Sequence, residues 1–201
     1  MAFSISRSLD QRFNLPNLLT YGRVLAVPMV VACLFWPEEF AMRWTALGIF
    51  IAAGITDFLD GYLARALSQQ SSLGRMLDPI ADKLLVAAVL LMLVADRSIK
   101  SYSLWAAIII LCREILVSGL REFLVELKVS VPVSRLAKWK TVMQLVALGF
   151  LIAGPAGEVV LPGTKIIGLG LLWLAALLTL YTGWDYMKAG VKHMMSEAER
   201  K

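Results

Sequence analysis

Asp57-Phe58-Leu59-Asp60-Gly61-Tyr62-Leu63-Ala64-Arg65, then eight residues, then Gly74-Arg75-Met76-Leu77-Asp78-Pro79-Ile80-Ala81-Asp82, is the stretch on which the reading of this chain turns. On a helix turning about 100° per residue, Asp57 and Asp60 sit nearly one turn apart, and Gly61 and Ala64 return over Asp57. Carboxylates and small residues therefore share a face. Gly74, Asp78 and Asp82 repeat the pattern at steps of four, provided the second helix runs unbroken past Pro79. Two such faces turned toward each other make an oxygen-rich pocket.

Four ionised aspartates at close quarters beside a bilayer repel one another and lose hydration, so the arrangement asks for cations between them. Oxygen-only donors with no His or Cys nearby favour Mg²⁺ or Mn²⁺ over zinc, and a pair of such ions spans about 3.5–4 Å. Glycines on the same face leave space for a diphosphate to approach. The alternative is a set of solvated aspartates at helix ends, which accounts for any one of them better than for four on paired faces.

Composition sets the surroundings. Of 201 residues 59% are apolar and the mean hydropathy is +0.71, well above the roughly 45–50% apolar share of a soluble domain. We expect an all-α, polytopic membrane protein forming a single domain over 1–201. Six spans of about 20 residues each use most of the chain. The net charge of +5 fits the charge of a membrane's inner surface, and no basic and aromatic interleaving points to nucleic acid. Cys33 and Cys112 fall inside expected spans and read as buried free thiols.

Residues 1–13 mix Phe3, Ile5, Leu9 and Phe13 with Arg7, Asp10 and Arg12, the pattern of a short amphipathic helix lying on the membrane surface. The first span follows Pro16 and runs to about Trp36. Arg23, one turn inside it, either snorkels to the interface or reaches a phosphate. The second span covers about 40–67. The third begins near Gly74 or Asp78, according to whether Asp78 caps a helix starting at Pro79 or Pro79 kinks a longer one. The fourth runs from 102 to about 122, the fifth from about 141 to 153, and the sixth from about 165 to 187, with a frayed polar tail at 188–201. Gly154-Pro155-Ala156-Gly157 and Pro162-Gly163 are expected to bracket the last outer turn.

With the amino terminus inside, thirteen Lys and Arg lie on the inner side and four (Arg43, Arg97, Lys100, Lys165) on the outer. The positive-inside rule then puts both termini and the aspartates in the cytoplasm, at the inner membrane. On that side Arg113, Arg121, Lys138 and Lys140 could clamp one phosphate, or could simply meet lipid headgroups and neighbours such as Glu114 and Glu122.

Asp57, Asp60, Gly61, Ala64, Arg65, Gly74, Asp78 and Asp82 stand at every position of the signature of the CDP-alcohol phosphotransferase family, which the chain resembles without departure. The resemblance implies a six-helix membrane enzyme, usually a homodimer, that moves a phosphoryl-alcohol unit from a CDP-linked donor to a hydroxyl and releases CMP. It implies two Mg²⁺ or Mn²⁺ ions on Asp57, Asp60, Asp78 and Asp82, with Asp82 as the base. CDP would be bound by Asp57, Gly61, Arg65 and Gly74, together with Asn17 and Thr20.

Asn14-Leu15-Pro16-Asn17-Leu18-Leu19-Thr20 with Arg23, Asp78-Pro79-Ile80-Ala81-Asp82-Lys83, Arg113-Glu114 through Arg121-Glu122, and Ala137-Lys138-Trp139-Lys140-Thr141 resemble the branch that uses CDP-diacylglycerol and sn-glycerol 3-phosphate. This resemblance makes Arg113, Arg121, Lys138 and Lys140 the binders of the acceptor phosphate. Other branches, with serine, inositol phosphate or phosphatidylglycerol as acceptor, are the nearest alternatives. A divalent-cation transporter lined by the same aspartates is the alternative from another class.

Overall fold

The computed structural model describes residues 15–67, 72–126 and 135–198, with side chains except at 15–17, 58–67, 72–75, 125–126, 135–138, 185 and 189–198. The regular structure described is six α-helices: α1 (Leu15–Leu34), α2 (Phe40–Leu67), α3 (Ser72–Ala95), α4 (Ser103–Glu126), α5 (Arg135–Val160) and α6 (Thr164–Ala198). The expected surface helix at 1–13 lies outside the described residues.

Ser103–Leu124, Trp139–Val160 and Thr164–Lys188 are each long and apolar enough to cross a membrane, and Leu18–Leu34 is a shorter apolar helix. Helices of that length and composition fit a multi-pass membrane protein. Trp105, Ile108, Ile115 and Leu116 of α4 and Ile166, Leu177 and Trp184 of α6 lie on outer surfaces, which lipid tails tolerate because they are as apolar as the side chains.

The chain divides into two compact groups, residues 1–96 with 152–162 and residues 97–151 with 163–201. In the first, α1 packs on both α2 and α3. Its buried face, Thr20, Arg23, Ala26, Val30 and Leu34, advances in steps of three and four, the spacing of one helix stripe. Ala46 and Ala53 of α2 and Ala81 of α3 are buried too, and such small side chains let helix backbones approach closely. Helix α3 runs unbroken from Ser72 past Pro79. The longer-helix alternative therefore holds, and positions 74, 78 and 82 fall on successive turns.

Arg43, counted in the sequence among the outer charges, is 1% exposed. Its Nη2 donates to Asp96 at the end of α3, Nε donates to Pro37 O at 2.8 Å, and Nη1 to Ile152 O at 3.1 Å. One guanidinium thus ties the turn before α2, the end of α3 and the stretch of α5 just before Gly154. Two residues past that carbonyl, α5 kinks at Gly154 (φ 42, ψ −122). The outer turn expected from 154 onward is displaced: the helix only kinks there, because Pro155 starts a fresh helical segment that continues to Val160. A Cβ at Gly154 would lie 2.6 Å from Arg43 Nη1.

In the second group α4 packs on α6, and a Cβ at Gly168 would come within 2.9 Å of Leu151 Cγ. Helix α6 continues to Ala198, so the tail expected to fray from 188 is helical as far as that residue. Cys112 corrects the expectation of a buried thiol: both cysteines are free, Cys33 is half-buried, and Cys112 is exposed on α4.

Arg43→Met should destabilise the protein by about 3–5 kcal/mol, because it strands a buried carboxylate, and Arg43→Met with Asp96→Leu should recover much of that loss. Gly154→Ala should cost about 1–3 kcal/mol through the strained φ alone. Reversible unfolding in mixed micelles would measure all three.

Candidate functional site

Thr20 and Arg23 are three residues apart on α1 and so share its face. Each reaches a carboxylate on a different neighbouring helix. Thr20 Oγ1 donates to Asp78 Oδ1 at 2.5 Å, and Arg23 Nη1 pairs with Asp57 Oδ1 at 2.7 Å. Both α1 residues are 1% exposed, whereas the Asp57 side chain is 49% exposed. Helix α1 therefore lies beneath one aspartate from each half of the motif. Arg23, one turn inside the first span, is thus buried against a carboxylate.

Asp82 is half-buried one turn beyond Asp78 on α3. Asp60, Gly61 and Arg65 lie on the last turns of α2, Gly74 on the first turn of α3 and Asn17 on the first turn of α1. Their side-chain positions fall outside those described. Among the described residues no three carboxylate, imidazole or thiol groups converge. Asp60, one turn along from Asp57, is not in that set. The donors that are placed are hard carboxylate oxygens, with a hydroxyl and a guanidinium behind them. That chemistry suits Mg²⁺ or Mn²⁺ and not zinc.

The second group holds a separate polar cluster inside apolar helices. Glu114 Oε1 pairs with Arg113 Nη1 at 3.0 Å and with Lys140 Nζ at 2.6 Å. Arg113 Nη2 donates to Thr182 Oγ1 at 3.2 Å. Lys140 Nζ lies 3.5 Å from Thr179 Oγ1, and Thr182 in turn donates to Leu178 O at 3.0 Å. Arg113, Lys140, Gln144, Thr179 and Thr182 are all buried. Gly183 makes room for the arginine, since a Cβ there would be 3.2 Å from Arg113 Cγ.

Two donors in this cluster, Arg113 Nε and the Tyr186 hydroxyl, are buried and have no hydrogen-bond partner among the described residues. Arg121 lies outside the buried cluster, its guanidinium 5.6 Å from the centre of the Tyr186 ring, a cation–π distance. The structure thus brings Arg113 and Lys140 together through Glu114, sets Arg121 on Tyr186, and leaves the Lys138 side chain outside those described. An anion that could reach Arg113 and Lys140 would meet two cations already gathered around one carboxylate oxygen.

Thr179, Thr182 and Tyr186 were not singled out by the sequence reading. Their signal was present: polar groups at steps of three and four within an apolar span, a pattern that marks a helix face turned inward.

Residues 13–181 match the family model for CDP-alcohol phosphatidyltransferase. The chain belongs to the CDP-alcohol phosphatidyltransferase family. Among similar proteins, the Rickettsia felis CDP-diacylglycerol–glycerol-3-phosphate 3-phosphatidyltransferase is 46% identical, over 90% of this chain and 97% of that protein. Proteins described by the same name in Rickettsia typhi and Cereibacter sphaeroides are 47% identical over 88% of this chain and 96% of theirs, and 36% identical over 92% and 99%. The match to CDP-alcohol phosphatidyltransferases includes residues of both helix groups.

Glu114→Ala should leave two neighbouring cations without their shared counterion and destabilise the protein by about 1–3 kcal/mol. Glu114→Ala combined with Lys140→Met should lose less than Glu114→Ala alone. Denaturant unfolding in micelles would separate the two.

Proposed function

We propose that this protein transfers the phosphatidyl group of CDP-diacylglycerol to the 1-hydroxyl of sn-glycerol 3-phosphate, forming phosphatidylglycerophosphate and releasing CMP in phospholipid synthesis. The observation that carries the reading is near full-length similarity, at 36–47% identity, to proteins named for that reaction, together with the complete aspartate signature.

In this reading Asp57, Asp60, Asp78 and Asp82 would hold two divalent ions, Mg²⁺ or Mn²⁺. When bound, these supply charge neutralisation and Lewis-acid polarisation at the diphosphate. Arg65 pairs with the diphosphate, Gly61 and Gly74 leave it space, and Asn17 and Thr20 border the nucleotide. Thr20 does so with its hydroxyl hydrogen already given to Asp78. Asp82 takes the proton of the acceptor hydroxyl. The resulting oxygen attacks the phosphorus that carries diacylglycerol, the bond from that phosphorus to the CMP oxygen breaks, and CMP leaves with the electron pair.

Arg113 and Lys140, with Arg121 and Lys138, bind the phosphate of the acceptor and hold its hydroxyl for attack, an entropic advantage as well as an electrostatic one. All six helices span the inner membrane, with both termini and the aspartates on the cytoplasmic side, and the protein works as a homodimer in one catalytic domain per chain.

With CDP-diacylglycerol in micelles, CMP release should require glycerol 3-phosphate and a divalent metal. Asp82→Asn should lower kcat by about 10²–10⁴-fold, and Arg113→Ala should raise KM for glycerol 3-phosphate. Turnover with serine or inositol phosphate in its place would overturn the assignment. An impermeant maleimide should label Ser101→Cys from outside intact cells, and Glu199→Cys only after the inner membrane is opened.

A further inference from the structure

Arg23 is the least expected side chain in the first helix group. Its neighbours along the α1 stripe, Ala26, Val30 and Leu34, are apolar and buried, and a leucine or methionine would continue that stripe. A guanidinium there must give up its hydration, which is unfavourable unless a carboxylate and further polar atoms replace the water. What it meets is Asp57 Oδ1 at 2.7 Å, on a carboxylate whose side chain is 49% exposed. One turn earlier Thr20, just as buried, reaches Asp78 by a hydrogen bond to Oδ1. Two helices that each carry part of the aspartate motif are thus each tied to a third helix through a carboxylate.

We infer that Arg23, seconded by Thr20, is a positioning residue for metal binding. It fixes the Asp57 side chain from its buried side before any ion arrives, and it offsets the charge of that carboxylate while the ions are absent. The inference rests on the metal-binding role given to Asp57 above. Carboxylates that ligate metals are commonly held by such outer partners, whose loss weakens metal affinity by about 10–100-fold. Arginine suits the task better than lysine, because the guanidinium stays charged when buried. An opposite effect is equally concrete: a cation this close to Asp57 could compete with the metal, and removing it would then tighten metal binding.

The test is Mn²⁺ binding to the purified protein in micelles, followed by the electron paramagnetic resonance of free Mn²⁺. It needs no substrate. Arg23→Gln should weaken Mn²⁺ binding by about 10–100-fold, Arg23→Lys should keep part of the affinity, and Thr20→Val should shift it in the same direction as Arg23→Gln. The Mn²⁺ dependence of CMP release should move by the same factor, while KM for glycerol 3-phosphate stays within about twofold. A merely structural arginine would lower the melting temperature in EDTA and the number of sites filled, leaving the Kd of the folded fraction unchanged.

Unchanged or tighter Mn²⁺ binding in Arg23→Gln, or in Arg23→Lys and Thr20→Val should the first fail to fold, overturns the inference and leaves the metal reading standing. Wild-type protein that binds no Mn²⁺, or Asp57→Asn that binds as wild type does, overturns both.

Discussion

Charge in an apolar helix bundle has to be solvated by the protein itself, and the described parts of this chain meet that demand with ion pairs. Arg23 takes Asp57, Arg43 takes Asp96, and Arg113 and Lys140 share Glu114. Replacing water around a charge requires an opposite charge and well-placed dipoles, and such pairs contribute little net stability over a well-packed apolar pair. What they confer is selectivity of arrangement. The Arg43 pair and the Arg23 pair each join different helices, so a helix that slips by one residue loses its partner.

The pairs divide by what they leave behind. At one end of α2, the Arg43 guanidinium is consumed by Asp96 and two backbone carbonyls, and the carboxylate is as buried as the cation. That is a closed structural joint. About 21 Å along the helix, at 1.5 Å per residue, the Arg23 pair buries the cation and leaves the carboxylate half exposed. An exposed carboxylate braced from behind retains an oxygen for something else. At the second cluster the unused group is on the buried cation instead: among the described residues Arg113 Nε has no hydrogen-bond partner.

The aspartate motif was legible because its spacing, small residues and charge all act on one helix face, and a period of 3.6 residues is enough to read them together. Helix positions were legible for the same reason: α2 at 40–67 and α4 near 102–122 follow from runs of apolar residues between turn signals. The path of α5 was not. Gly154 and Pro155 signal a break, and only the surrounding packing decides between a turn and a kink; Arg43 filling the space beside Gly154 settles it as a kink. The partner of Arg23 was also beyond sequence, since it depends on which helix lies against α1. Thr179, Thr182 and Tyr186 went unread because polar residues in an apolar span gain meaning only once the arginine facing them is placed.

Helix α6 is held at two points by side chains it does not have. Gly168 lets it sit directly on Leu151, and Gly183 lets it sit directly on the stem of Arg113. The fifteen residue steps from one to the other measure about 22 Å at 1.5 Å per residue, and Thr179 and Thr182 hang within that interval. The hydroxyls are thus registered against α4 and α5 by two absent methyl groups, one near each end of the gauge. A single added carbon at the far contact would be felt as misalignment of groups it never touches.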